Sequence, residues 1–407
     1  MGAQMSRPAE PEGHGSEDRA VAPAETVANL RPHLATMGIT RLADLTGLDR
    51  IGVPVFAAIR PNSRSVATSQ GKGLTRDAAR AAALMEAAES WHAERPPGPL
   101  QFEAASELSG PQTIDLDRLP RIVGREFDPE RRILWSHGTD LVTGAARWLP
   151  YEIVHTDYRL PQPPAAGCFP VSSNGLGAGN TRAEAVRHAL LELIERDALS
   201  LWQQRAALRR RTGRVVLEGN TTPVLAALVE TLAAAEFAVA LHDITSDLAV
   251  PAFLAVIVDR RDRAGHAGLG SAAHPSAALA AQKALLEAIQ VRTSYIAGAR
   301  DDLAPGEFTA GGLEAKHRWA EVLLRADSQA RPLRPDVPAA ALAAEEQVAW
   351  LQERLAAAGM GEVVAVDLSR PEIGVPVARV VVPGLEGAAD DPGYRPGARA
   401  LAARSVP

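Results

Sequence analysis

The stretch "NTRAEAVRHALLELIERDALSLW", residues 180–202, reads as one long buried helix with a defined start. Thr181 followed three residues later by Glu184 has the spacing of a capping box, which fixes where the helix begins. From there the segment is apolar around much of its circumference, as a buried or half-buried helix must be. Glu192 and Glu195 interrupt it three residues apart, on one face, where their carboxylates can point at one region.

The same arrangement recurs on either side. Counting eleven and fourteen positions from Thr75 gives Glu86 and Glu89, from Thr181 gives Glu192 and Glu195, and from Ser276 gives Glu287 and Gln290. Three helices therefore present one pair of positions. Between them lie strand-like stretches, "GVPVFAAI" (52–59), "AVPAFLAVIVD" (249–259), "EVVAVDL" (362–368) and "GVPVARVVV" (374–382), rich in residues that favour strands. The expected class is α/β (α+β), mixed sheets packed with long helices. A short echo, "IGVPVFAAIRP" (51–61) against "IGVPVARVVVP" (373–383), suggests related strands. Residues 1–25 are polar, with proline and glycine, and read as a flexible tail; the fold is expected to begin near Val27 and to run through 26–407, with subdomains 26–165 and 166–407.

Composition narrows the function classes. A net charge of -6 over 407 residues offers no general attraction to nucleic acid or to an anionic membrane. Neither a signal peptide nor a bilayer-length apolar run is apparent, so a cytoplasmic protein is expected. Cys168 is the only cysteine, which excludes an intramolecular disulfide and a cysteine-rich metal centre. Isolated cysteines are commonly core residues, and no histidine partner follows from its spacing.

Gathered carboxylates on buried helices repel one another and resist ionisation. A hard divalent cation changes that balance, since magnesium is held by carboxylate and phosphate oxygens. The loop "RPNSRSVATSQGKG" (60–73) supplies the complementary half: Lys72 between two glycines, Ser69, and arginines able to meet phosphate oxygens. Glycine-rich approaches, "SSNGLGAGN" (172–180) and "GHAGLGSAAHP" (265–275), precede the other two helices. His188 lies four residues before Glu192 and can share its face, binding nucleotide or orienting the carboxylate. Arg196 and Arg292 can bind phosphate or pair with glutamates. A nucleotide with magnesium is the simplest shared ligand, although no loop matches the G-x-x-x-x-G-K-[ST] pattern or dinucleotide spacing.

The segments "RPNSRSVATSQGKGLTRDAARAAALMEAAE", "SSNGLGAGNTRAEAVRHALLELIERDALSLW", "ALLEAIQVR" and "PVARVVVPGLE" together resemble the YcaO family over roughly residues 50–390. The resemblance implies a YcaO-like fold with an ATP site between the three acidic helices, and an enzyme that uses ATP and Mg2+ to phosphorylate a backbone amide oxygen of a ribosomally made precursor peptide. It implies metal ligands among Glu86, Glu89, Glu192, Glu195 and Glu287, with Lys72, Ser69, His188, Arg196, Gln290 and Arg292 on the nucleotide side, and it assigns no catalytic nucleophile. The principal expected outcome is cyclodehydration of Cys, Ser or Thr to an azoline. The alternatives are thioamide formation with an external sulfur donor, macrolactamidine formation, and a non-catalytic peptide-binding scaffold. "IRPNSRSVATSQGKG" is most similar to members encoded with thioamidation partner proteins, and is similar also to stand-alone azoline and macroamidine enzymes of bottromycin-type pathways, so the chain either recognises its peptide unaided or uses a separate partner for thioamidation or substrate recruitment, with a homodimer left open. The ending "GARALAARSVP" departs from the proline-rich C-terminal signature of many azoline-forming relatives.

Overall fold

Thr75, Thr181 and Ser276 are all N-caps in the computed structural model, which describes residues 18–110, 112–205, 213–217, 219, 221–262, 265–325, 330–387 and 393–404. Their hydroxyls accept from the backbone N–H groups of Ala78 at 3.2 Å, Glu184 at 3.1 Å and Leu279 at 3.3 Å. Each satisfies a donor that the first helical turn would otherwise leave unpaired. The helices they open, Arg76–Ala93, Arg182–Gln204 and Ala277–Ala297, are the first, second and third acidic helices.

Each follows directly on a strand, Thr68–Lys72, Leu176–Ala178 or Gly268–Ala273, and folds back against it. The close packing is written in glycine and alanine. A Cβ on Gly71 would lie 2.1 Å from the backbone of Ala79 and of Ala83, one on Gly177 2.4 Å from Ala185, and one on Gly270 2.3 Å from Ala288. Only glycine lets a strand approach a helix backbone so closely.

The strands beside these three also correspond. Val55 pairs with Lys72, Ala252 with Ala273 and Val377 with Ala178, each three residues ahead of a cap. The preceding prolines accept in the same place: Gly73 N–H to Pro54 at 3.2 Å, His274 N–H to Pro251 at 2.9 Å, and Gly179 N–H to Pro376 at 3.1 Å. The echo seen in the sequence thus belongs to a threefold unit, of which "AVPA" at 249–252 is the third copy. The units close on one another. The first acidic helix also packs on Leu176–Ala178, the second on Gly268–Ala273 and the third on Thr68–Lys72.

Among the described residues the strands form two three-stranded antiparallel sheets, Arg41–Asp44/Val55–Ile59/Thr68–Lys72 and Phe237–Asp243/Ala252–Asp259/Gly268–Ala273, a two-stranded parallel pair, Val215–Val216/Arg331–Pro332, and a seven-stranded sheet. The last takes strands from both sides of residues 165/166, for Ile133–Asp140 pairs with Val364–Asp367. Apolar side chains of the three acidic helices enter three different core clusters, with Leu84, Ile194 and Leu285 each at most 1% exposed. Each helix is thereby anchored from outside the ring, leaving its glutamates to the centre.

Residues 1–17 of the expected tail and the final residues 405–407 lie outside the described residues. In the rest of that stretch the helix Pro23–Leu30 begins four residues before Val27, with proline in its first turn, and Asp18 pairs with three side chains of the second and third units. Composition alone could not register those distant partners.

Candidate active site

The inner faces of the acidic helices bring Glu86, Glu89, Glu192, Glu195 and Glu287 into one electrostatic group. Glu89 feels Glu192 and Glu86, and Glu195 feels Glu287 and Glu192. Each is held by a neighbouring unit or a nearby cation. Glu89 Oε1 accepts from Ala178 N–H at 2.7 Å, Glu195 Oε1 from Ser271 Oγ at 2.5 Å, and Lys72 Nζ stands 3.2 Å from Glu287. The Glu192 carboxylate lies 3.1 Å from Arg196, whose guanidinium also reaches Asn174 Oδ1 at 3.3 Å. Asn174 sits in the donor-rich "SSNG" approach, and that loop is pinned from below by Arg379, fully buried, which donates to the carbonyls of Asn174 at 2.6 Å and Ser172 at 2.9 Å. The role of Arg379 was not legible in the sequence, because a lone arginine in an apolar strand carries no spacing signal.

These carboxylates line a cleft: their side chains are enclosed by protein on most sides yet keep 13% (Glu89), 21% (Glu192) and 33% (Glu287) of their exposure. Burial pushes Glu86 up to about 7 against the pull of Lys72, and burial together with Glu287 pushes Glu195 up to about 8. Burial raises Glu192, and burial with the Glu192 charge raises Glu89 well above the usual range. Such a group holds protons until a cation replaces them.

The stability of the ligand-free protein should record this. Folded Glu86 and Glu195 keep protons up to about 7 and about 8, while the unfolded chain releases them near 4.5. The folded state binds more protons across that window, so stability falls as pH rises through it. Thermal melts from about pH 5 to 8.5 are expected to show the midpoint falling by several degrees, at about 1 °C per kcal/mol for a chain of this size. Mg2+ with a non-hydrolysable ATP analogue should flatten the slope. A midpoint that rises across this range would contradict the arrangement.

The remaining sequence candidates divide. His188 lies at the mouth, 3.9 Å from Glu89 and two-fifths exposed, and burial with the charges of Arg19 and Lys283 pushes it down to about 3, so it is neutral. Gln290 stands on the third helix fourteen residues after its cap, and its Oε1 is buried without a donor. Ser69 and Arg292 face elsewhere. Ser69 shares with Gly71 the side of the strand that packs on the first helix; it is 1% exposed and its Oγ has no partner. Arg292 is engaged by Asp259 at 3.1 Å and by the His266 carbonyl, and its guanidinium lies 5.0 Å from the Phe237 ring centre; its ion pair is with Asp259 rather than with a glutamate of the group. Cys168 accepts from Arg121 at 3.6 Å, and partial burial raises its thiol.

The donor set suits magnesium. Glutamate oxygens are hard ligands, and the buried Gln290 Oε1 has no hydrogen-bond donor, while Glu192 Oε1 is met by the Arg196 guanidinium at 3.1 Å. Among the described residues no three carboxylates or imidazoles already converge as a closed metal cage. Magnesium shared with phosphate oxygens and water needs none.

Comparison with known proteins agrees with this geometry. The family described as YcaO cyclodehydratase, ATP- and Mg2+-binding, matches residues 70–386. An uncharacterised protein from the region 3′ of tfuA in Rhizobium leguminosarum bv. trifolii is 38% identical, over 91% of this chain and 89% of its own. An uncharacterised protein of Methanothermobacter thermautotrophicus is 36% identical over 92% and 96%. The structure of YcaO from Methanopyrus kandleri, bound with AMPPCP and Mg2+, superposes with a TM-score of 0.72 at 26% identity, covering 93% of this chain and 95% of that one. A heterocyclase in complex with substrate and cofactor shares the fold, with a TM-score of 0.73 at 22% identity; this chain spans about half of it, 53%.

Proposed function

The chain belongs to the YcaO family, and from that premise we propose that it is an ATP- and Mg2+-dependent enzyme that exchanges sulfur for oxygen at a backbone amide of a peptide. The activation step is carried by one observation, the convergence of five glutamates with Lys72 and Arg196 in a single cleft. The sulfur step is supported by the rhizobial relative beside tfuA, together with the likeness of the 59–73 loop to members encoded with thioamidation partners.

An amide carbonyl is a poor electrophile whose oxygen does not leave unaided. Transfer of the terminal phosphoryl group of ATP to that oxygen releases ADP and creates a leaving group. Hydrosulfide, supplied from outside, then adds to the amide carbon; the bond between carbon and the phosphorylated oxygen breaks, and phosphate departs with the proton that hydrosulfide brought. C=S replaces C=O, and the nitrogen keeps its hydrogen.

Bound magnesium would neutralise phosphate charge, held by Glu86, Glu89, Glu192, Glu195 and Glu287. The chain's own part is positional. Lys72 and Arg196 orient phosphate, the Ser271 and Ala178 contacts fix Glu195 and Glu89, and Arg379 holds the 172–174 loop against the second helix. The nucleophile comes from outside the chain, and a TfuA-type protein is the candidate partner delivering it. The peptide substrate reaches the cleft either unaided or through that partner.

High-resolution mass spectrometry of a co-encoded peptide incubated with enzyme, ATP and Mg2+ tests this. A gain of about 16 Da only when sulfide is supplied is expected, since sulfur takes the place of oxygen at the attacked carbon. A loss of about 18 Da without sulfide would instead assign azoline or amidine formation, in which a side-chain or amine nucleophile closes on the amide and water is expelled.

A further inference from the structure

Asp18 is held by three side chains from the second and third units, and no part of the activation chemistry uses it. It lies 2.8 Å from Arg187 of the second acidic helix and 3.1 Å from Lys283 of the third. His274, two residues ahead of the third cap and 1% exposed, completes the socket at 3.2 Å. Because the N–H of Ser276 donates to His274 Nδ1 at 3.0 Å, the ring's hydrogen sits on Nε2 and points at Asp18. Burial raises the Asp18 carboxyl, but Lys283, His274 and Arg187 more than offset this and hold it well below the usual range.

The following residues continue across the second helix start. The Arg187 guanidinium donates to the Asp18 carbonyl at 2.7 Å, the Ala20 N–H donates to Glu184, Arg19 lies 3.8 Å from Glu184, and Thr26 Oγ donates to Asn180 at 3.0 Å. The socket is close to the cleft in sequence and in space: Lys283 is four residues before Glu287, and the charge of Arg19 is felt at Glu89 and His188. One carboxylate therefore ties the entrances of the second and third acidic helices together, and the residues after it run along the start of the second helix, near enough for the Arg19 charge to reach Glu89 and His188.

We propose that residues 18–21 are a latch on nucleotide exchange, with Asp18 seated in the Arg187–His274–Lys283 socket when shut and withdrawn when nucleotide passes. The inference rests on the nucleotide reading of the cleft. It differs from the chemistry there in acting on binding and release rather than on the amide.

Stopped-flow dissociation of a fluorescent, non-hydrolysable ATP analogue from the full chain, with Mg2+, tests the latch. Asp18→Asn is expected to release it at least about tenfold faster, because most changes in a binding step appear in dissociation, and Asp18→Glu is expected to restore a rate within about threefold of the wild type. A wild-type rate that Asp18→Asn leaves within threefold overturns the latch while the nucleotide reading stands; a wild-type chain that binds no analogue overturns both. Hydrogen exchange on the unaltered chain gives a second readout that does not depend on the variant folding. The amides of Ala20 and Val21 should exchange at least threefold more slowly with analogue bound, and unchanged exchange counts against the latch.

Discussion

Glu195→Gln is expected to lower peptide-dependent phosphate release by about 10²–10³-fold, the range found when one preorganised charge-stabilising group is removed from an active site. Glutamine keeps the shape of the side chain and can still meet Ser271, so the fold should survive. What it loses is the negative oxygen that a cation can bind. The same change should relieve the ligand-free protein, because burial, Glu287 and Glu192 all resist ionisation at this position. Above about pH 8 the variant is expected to melt higher than the wild type, and to gain less from Mg2+ with nucleotide. A variant that kept wild-type turnover, or melted lower across the whole range, would remove Glu195 from the proposed site. Stability surrendered for function is the expected mark of a cluster assembled for a ligand.

Gly71→Ala is expected to be the most damaging single methyl group in the chain's first unit. Its Cβ would stand 2.1 Å from both Ala79 O and Ala83 N, which are helix backbone and cannot swing aside. Separating the strand from the first acidic helix would displace Lys72 on one side and Glu86 on the other, so packing and site fail together. A loss of about 4 kcal/mol or more is expected, in the range reserved for gross overpacking, and denaturant melts would measure it. Gly177→Ala should act similarly in the second unit, against Ala185 and Ala189. Gly47→Ala, where the added carbon meets nothing within 4 Å, serves as the control and should stay near neutral. Comparable stability of Gly71→Ala and Gly47→Ala would mean that the strand and helix are not in close contact.

Much of this site was legible because it is built from repeated local units. Caps at Thr75, Thr181 and Ser276 and acidic positions at constant offsets are one-dimensional features, and a helix preserves such offsets as geometry. Lys72 was recognisable from its flanking glycines, which prove to be places where the strand touches the first acidic helix. Ser69 looked equivalent in the sequence. Strand alternation sends it to the opposite face from Lys72, and a glycine-punctuated stretch read as a loop conceals that alternation. Arg292 lies two residues after Gln290, and on a helix that short step turns the side chain toward Asp259 and Phe237.

By itself the sequence determined the three helices, their starts and their paired acids, and it suggested the kinship of the strands at 55–59 and 377–381, since each depends on residues near one another in the chain. Tertiary structure decided how the three units close into a ring, that 249–252 supplies the third copy of the hairpin, and that Asp18 fastens two helices more than 150 residues away, as Arg187 (|i−j| = 169) and Lys283 (|i−j| = 265) show. Those outcomes rest on contacts between distant segments and on which face a residue presents once packed. Charge and burial become properties of the site only when such contacts form.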